Sequence, residues 1–143
     1  MADGLIVEVD ADALLAAIAR LGPRAEAAVD EAALETSEAI VREAKSRLQR
    51  QLGSQSTGLT LAGIQIERAD LGGFLVGSSR EPFPNLPLWI EKGTKYGVRN
   101  GNAGGNMRPR PYFYASAELE EGPHHRRVSD ALQNAIDDEG LGQ

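Results

Sequence analysis

The feature of the sequence that most constrains its fold is the stretch of residues 24–52, which contains neither glycine nor proline. Apolar residues recur along it at intervals of four and seven, at Val29, Ala33, Ile40, Ala44, Leu48 and Leu52. This spacing places them on one face of an α-helix. Acidic residues near the start and basic residues near the end suit the helix dipole. The stretch therefore predicts one long amphipathic helix with a solvated, charged outer face.

The residues before this helix predict a strand and a separate, shorter helix. Residues 5–9, with the sequence LIVEV, form a short β-branched run, and Asp10 or Asp12 can cap a helix over ALLAAIARL. Gly22 and Pro23 follow and are predicted to end that helix, since both residues are common just beyond a helix. No basic region followed by an apolar run occurs here, so we expect no secretory signal.

The middle of the chain predicts a β-hairpin followed by an extended connection. Ile64 and Ile66 alternate with polar residues, and FLVGSS follows across the turn DLGG. The next segment, EPFPNLPLW, contains three prolines and is expected to be mostly extended. For residues 88–92, a short helical turn and a strand both remain possible.

The C-terminal part of the chain predicts two helical segments. Residues 111–121, PYFYASAELEE, indicate a strand or turn that passes into a helix, and Gly122 and Pro123 are predicted to interrupt it. An amphipathic helix through Val128, Leu132 and Ile136 follows. We therefore expect one α+β domain over the 143 residues, with a long N-terminal helix and a C-terminal helix packed on a small antiparallel β-sheet.

Composition restricts the possible partners. The formal net charge is −6, which gives the whole molecule no general attraction for nucleic acid or anionic membranes. The absence of cysteine excludes disulfides, thiolate nucleophiles and cysteine metal sites. No stretch approaches the roughly 18 to 20 apolar residues of a membrane span, so we expect no membrane partner.

Motifs for nucleotide binding and catalysis are not satisfied. Residues 97–107 lack the lysine and hydroxyl of a phosphate-binding loop, and the RPRP that follows is incompatible with the helix start of a dinucleotide-binding fold. His124 and His125 are adjacent after Gly-Pro, so they cannot both face one metal ion, and a solvated helix terminus is the preferred interpretation. We expect no enzymatic activity and no catalytic, cofactor-binding or metal-binding residues.

The glycine-rich residues 97–110 are predicted to form a flexible arm inside a locally basic segment. Five basic residues accompany the single acid Glu91 between residues 89 and 114, and they are Lys92, Lys95, Arg99, Arg108 and Arg110. Such an arm can dock on an acidic patch of a neighbouring subunit. It can also contact DNA phosphates, with tyrosines nearby for stacking, or be a solubilising loop of no special role.

Three segments in order resemble the gene-product-ten-like neck and tail-component family of long-tailed bacteriophages. They are STG followed by Ile64, LWIEKGT at residues 88–94, and RPYFYASAE at residues 110–118. The positions that match the family motifs are Thr57, Gly58, Trp89, Ile90, Glu91, Gly93, Thr94, Pro111 and Phe113. The likeness extends over residues 25–117, and Ser56, Thr60 and Ala115 depart from the family pattern.

This resemblance implies a virion structural protein of the head-tail junction, most similar to tail terminator or tail completion proteins. It implies a hexameric ring of copies, assembled in the host cytoplasm, that joins the tail tube to the head-closure or connector protein. Non-specific contact with phage DNA in the channel is also implied. The alternative from another class is a small nucleic-acid-binding module that uses the basic residues 92–110.

The motif residues are expected to have structural roles. We expect Trp89 and Phe113 to bury apolar surface and Gly93 to supply a backbone conformation denied to other residues. Pro111 is expected to set the start of the last helix. Two roles remain open for Glu91, which can cap a helix or pair with a basic residue of the next subunit.

Overall fold

The computed structural model describes residues 12–53, 58–70, 72–79, 83, 85–93, 97–99, 102–104 and 108–141. Its elements, in chain order, are the helices and strands α1 (Asp12–Leu52), α2 (Leu59–Ala62), β1 (Ile64–Arg68), β2 (Phe74–Ser78), α3 (Leu86–Lys92), β3 (Gly97–Arg99), β4 (Asn102–Gly104) and α4 (Phe113–Asp138). Helix α4 and both strands of the β1–β2 hairpin pack on α1. The predicted α+β class, with two long helices on a small antiparallel sheet, is confirmed.

Helix α1 does not end at Gly22 and Pro23, so the predicted break is wrong. The helix is continuous from Asp12 to Leu52 with Pro23 inside it. A proline removes one backbone hydrogen bond and disfavours this arrangement. Contacts with the end of α4 offset part of the loss, because Arg20 and Arg24 lie on either side of Pro23 and both bind Glu139, at 3.0 and 3.2 Å. The strand predicted for residues 5–9 lies outside the described residues.

The predicted interruption at Gly122 and Pro123 is also wrong, since α4 is continuous from Phe113 to Asp138. Packing against α1 again holds the helix together across the proline. Directly after Pro123, the Nδ1 atom of His124 lies 2.9 Å from the Thr36 hydroxyl of α1. Tertiary contacts therefore override local propensity at both internal prolines.

The predicted β-hairpin is confirmed. Strands β1 and β2 pair antiparallel, with Ile64 opposite Ser78 and Ile66 opposite Val76. The start of β1 depends on a close approach of backbone to backbone, because a Cβ atom on Gly63 would lie 1.7 Å from the carbonyl oxygen of Ser79. Only glycine fits this position without displacing the strands.

The hydrophobic core lies where α1, the hairpin, α3 and the start of α4 meet. Its buried members are Ala44, Leu48, Ile64, Ile90 and Tyr112. Residues 88–92, for which helix and strand were both possible, belong to helix α3. Part of the glycine-rich arm forms the short antiparallel pair β3–β4, a feature that the sequence did not predict.

Candidate functional site

The best-defined site is the junction between α3 and α4, where the side chain of Glu91 caps α4. One carboxylate oxygen accepts hydrogen bonds from the backbone N–H groups of Tyr112 and Phe113, at 2.7 and 2.8 Å. The other accepts from the N–H of Tyr114, at 3.1 Å. The first N–H groups of a helix have no acceptor within the helix, and its N-terminus carries partial positive charge. A carboxylate satisfies both requirements, so the capping alternative for Glu91 is confirmed.

The cap comes from a distant part of the chain because the local sequence offers none. Helix α4 has Tyr112 as its N-cap residue, and that side chain makes no capping hydrogen bond. The preceding RPRP also lacks the Ser, Thr, Asp or Asn that usually caps a helix. Glu91 is 7% exposed. Among the described residues it has no ion-pair partner, so three amides and the helix dipole balance its charge.

Two backbone features hold Glu91 in place. The N–H of Arg110 donates to the carbonyl oxygen of Ile90 at 2.8 Å, which draws the chain before α4 alongside α3. Gly93 ends α3 with φ 73°, and its N–H donates to the carbonyl oxygen of Trp89 at 2.8 Å. The expectation that Gly93 supplies an unusual backbone conformation is confirmed, since such a φ disfavours other residues.

Tyr112 connects this junction to the hairpin. Its side chain is fully buried, and its hydroxyl lies 2.8 Å from the hydroxyl of Ser78 at the end of β2. Burial raises the pKa of the Tyr112 phenol, the hydrogen bond with Ser78 lowers that pKa, and the negative charge of Glu91 raises it. The net effect is a raised pKa, so the phenol stays neutral and hydrogen-bonded at physiological pH.

The burial predicted for Trp89 is wrong. Trp89 is 45% exposed, because the face of α3 that packs inward carries Pro87, Ile90 and Glu91. Phe113 does pack against the core, as expected. Pro111 precedes the N-cap of α4 and so lies outside the helix, where its carbonyl oxygen accepts a hydrogen bond from Gln51 at 2.9 Å.

The exposed part of this junction forms a mixed apolar and cationic surface. We call it the α3 surface and define it as Leu88, Trp89, Lys92 and Tyr114. Leu88 and Tyr114 line one cavity of about 220 Å³ beside β2. The ammonium of Lys92 lies 5.9 Å from the centre of the Tyr114 ring, within cation–π range. Leu88, Trp89 and Tyr114 are each 45% to 52% exposed.

The remaining predicted residues are only partly brought together. Among the basic residues of the segment 89–114, Lys92 belongs to the α3 surface, Arg108 is exposed and Arg110 is half-buried. Arg99 belongs to β3, and Lys95 lies outside the described residues. Gly58 is the left-handed N-cap of α2, with φ 78°. Thr57 and Thr94 lie outside the described residues.

The two histidines do not lie at a helix terminus, so that interpretation is wrong. His124 lies inside α4 and contacts Thr36 of α1, while His125 is exposed. Thr36 also accepts a hydrogen bond from Arg127 at 3.2 Å, and Arg127 pairs with Glu120 at 2.8 Å. The hydrogen bond with Glu120 raises the pKa of Arg127, with a smaller opposing effect of burial. This polar cluster joins α1 to α4.

Within the ranges described, no group of three or more His, Cys, Asp or Glu side chains is arranged to hold a metal ion. In the same ranges, no helix has the length and apolar character needed to cross a membrane. The chain was also compared with known proteins, and neither a protein-family model, nor a curated protein, nor a solved structure matches it.

The sequence leaves the role of Glu91 open and does not predict the contact between Tyr112 and Ser78. One signal for the cap is present in the sequence: a helix start without a local capping residue, preceded by an isolated acid in a short apolar helix. The contact between Tyr112 and Ser78 has no such signal, because it depends on how the hairpin packs against α4.

Proposed function

We propose that this protein is a non-enzymatic structural component of a bacteriophage particle. It acts at the junction of head and tail, where several copies form a ring between the tail tube and the connector of the capsid. The order of the motif segments supports this proposal. Glu91 adds support, because it joins two of the three segments on which the resemblance depends.

The observation that carries the proposal is the exposure of the α3 surface. Leu88, Trp89 and Tyr114 are each about half exposed, and Lys92 lies over the Tyr114 ring. On soluble proteins, exposed large apolar side chains on one part of the surface commonly mark a contact with another protein. The three hydrogen bonds to Glu91 fix α3 to the start of α4, so a partner meets a surface that is already ordered. Such preorganisation lowers the entropic cost of association.

A ring requires that one surface of each copy meets a different surface of the next copy. The charge distribution favours such a contact, since the basic segment around residues 92–110 lies in a chain with an overall charge of −6. The arm, with β3 and β4 inside it, then contacts a neighbouring copy or faces the channel.

The test is electron cryomicroscopy of the phage particles produced by the genome that encodes this chain. We expect a ring of density at the neck into which α1 and α4 fit side by side. Particles that lack this chain, or that contain it away from the neck, would refute the proposal.

A pair of exposed apolar residues provides a matched variant test. Trp89→Ala is expected to reduce incorporation of the protein into particles, because it removes the largest side chain of the α3 surface. Leu119→Ala is the control, since Leu119 is 54% exposed on α4 and is not part of that surface. Equal incorporation of both variants would remove the α3 surface from the proposal.

The alternative function is a small nucleic-acid-binding module, and one observation favours it. Lys92 above the Tyr114 ring combines a cation with an aromatic face, as in surfaces that bind single strands, and the same short helix α3 also exposes Trp89. Titration of labelled DNA separates the two functions. A binding module loses affinity steeply between about 50 and 200 mM salt, whereas a ring subunit self-associates and binds DNA weakly if at all.

A further inference from the structure

One edge of strand β1 has no strand partner among the described residues, and we call it the free edge. In the part of the chain that the structure describes, β1 pairs with β2 alone. The bonds that flank the pair run from Ser79 N–H to the Gly63 carbonyl, at 3.1 Å, and from Ala69 N–H to the Gly73 carbonyl, at 3.0 Å. Antiparallel pairs alternate between bonded and non-bonded, so the odd-numbered residues of β1 bond to β2. The backbone groups that point away from β2 belong to Ile64, Ile66 and Arg68.

A groove runs between this free edge and α1. Its volume is about 500 Å³, and its apolar residues are Val41 and Ile66. The cations Arg42 and Lys45 also line it, with Glu38 on its N-terminal side along α1. Neither Arg42 nor Lys45 has an ion-pair partner among the described residues. A free strand edge above an apolar floor, in a lining that carries two cations and one acid, fits an extended segment that is both apolar and acidic.

The chain itself contains such a segment at residues 5–9. The sequence LIVEV is rich in β-branched residues, which favour strands, and it includes the acid Glu8. Asp3 and Asp10 flank it, and no basic residue lies between Met1 and Asp12. Its composition therefore complements both the apolar floor and the cations of the groove.

The length of α1 decides which copy can supply this segment. Val9 is three residues before Asp12, and three extended residues span at most about 11 Å. Val41 lies 29 residues further along α1, which corresponds to about 43 Å at the rise of an α-helix. A bend at Pro23 does not help, because α1 is continuous through Pro23 and a proline kink within a helix does not fold its first turns back along the rest. The segment cannot reach the groove of its own chain.

We propose that residues 5–9 of one copy add as a strand to the free edge of β1 in a second copy. Each copy then gives its segment to one neighbour and receives a segment from another. The two contacting surfaces differ, so the arrangement builds a ring when it closes and a filament when it does not. This inference rests on the proposed ring function and deepens it by naming the contact between copies.

The absence of cysteine from the chain allows a direct crosslinking test. The full-length variant Val7→Cys/Ser46→Cys places one thiol in the donated segment and one in the lining of the groove. Under mild oxidation we expect a ladder of disulfide-linked oligomers. The control is Val7→Cys/Ser129→Cys, because Ser129 is, like Ser46, an exposed serine on a long helix. We expect roughly tenfold more covalent oligomer from the first variant, since docking raises the effective thiol concentration.

Three results would overturn the inference: equal ladders from both variants, no covalent oligomer from either, or monomers in which both thiols of one chain are consumed. The last result would show that the segment reaches its own groove. The second is expected if a different protein occupies the groove.

Sedimentation velocity separates failure of the inference from failure of the proposed function. Val7→Lys is expected to weaken self-association by about tenfold or more, because it places a positive charge against the apolar floor and near the cations Arg42 and Lys45. If this variant assembles as the wild type does, rings form by another contact and only the strand inference fails. If the wild type neither self-associates nor occurs in particles, both proposals fail.

Discussion

Replacement of Glu91 tests whether a distant carboxylate holds the start of α4. Glu91→Ala leaves the N–H groups of Tyr112, Phe113 and Tyr114 without their acceptor, in a place where the native side chain is only 7% exposed. Losing a helix cap costs about 0.5 to 2 kcal/mol, and a hydrogen bond to a charged group contributes about 1.5 to 3 kcal/mol. Release of the buried carboxylate offsets part of this loss. We expect the free energy of unfolding to fall by about 3 kcal/mol for Glu91→Ala.

Glu91→Gln gives a more selective result. The amide keeps one oxygen, which can still accept from two N–H groups, but its NH₂ group faces a third N–H. It also loses the attraction between the carboxylate and the helix dipole. We expect a loss of about 2 kcal/mol, together with faster hydrogen exchange at the amides of residues 112–114.

Urea denaturation followed by far-UV circular dichroism measures both losses. With a slope of about 2 kcal/mol per molar urea, Glu91→Ala lowers the midpoint by about 1.5 M. Glu43→Gln is the control, because Glu43 pairs with Arg47 one turn later on the partly exposed surface of α1, and such pairs contribute about 0.5 kcal/mol or less. A loss for Glu91→Ala that is no larger than the loss for this control would refute the reasoning.

Three further predictions concern single residues. Gly63→Ala is expected to destabilise the protein by about 2 kcal/mol or more in the same urea assay, since its Cβ meets the Ser79 carbonyl oxygen at 1.7 Å; an unchanged midpoint would contradict the observed approach of the strands. Tyr112→Phe is expected to cost about 1 kcal/mol at pH 7 through the lost bond to Ser78. Because the folded pKa of Tyr112 is raised, its stabilising effect is complete below the unfolded pKa of about 10 and falls above it; a wild-type midpoint that falls no more steeply than that of Tyr112→Phe in alkali would contradict this. Trp89→Ala is expected to cost about 1 kcal/mol, well below the roughly 3 to 5 kcal/mol of a fully buried tryptophan, since Trp89 is 45% exposed; a loss in that larger range would place this residue in the core.

The parts of the fold that sequence predicts well are those with local physical causes. The helix over residues 24–52 and the alternation through Ile64 and Ile66 depend on one element each, and both were predicted correctly. The predicted apolar face of α1 is buried at Ala44 and Leu48 but not at Val29, which is 36% exposed, and the middle of the helix buries Ala32, Thr36 and Ala39 instead. Pro23 and Pro123 misled the prediction because their local effect is opposed by contacts from another helix, through Glu139 and His124 respectively. Propensity describes a segment in isolation, and it cannot include a partner that the fold brings from far along the chain.

In the candidate site too, roles with a local cause were predicted correctly and roles that depend on packing were not. Gly93 was assigned correctly because a backbone requirement is a local property. Trp89 was assigned wrongly because a large aromatic residue in a short helix gives no information about which face packs inward. The capping role of Glu91 depends on how α3 and α4 lie relative to each other, which the sequence leaves open.

The junction between α3 and α4 holds the two ends of the arm together, which allows the arm to vary in length. The bond from Arg110 to Ile90 and the bonds from residues 112–114 to Glu91 fix both ends of the segment between α3 and α4 at one point. The cost of closing a flexible loop grows slowly with its length, by about 0.6 kcal/mol for each doubling. Insertions and deletions between Gly93 and Arg110 therefore leave the helices in place, so the arm can change its length and charge to suit a new partner while the rest of the fold is unaltered.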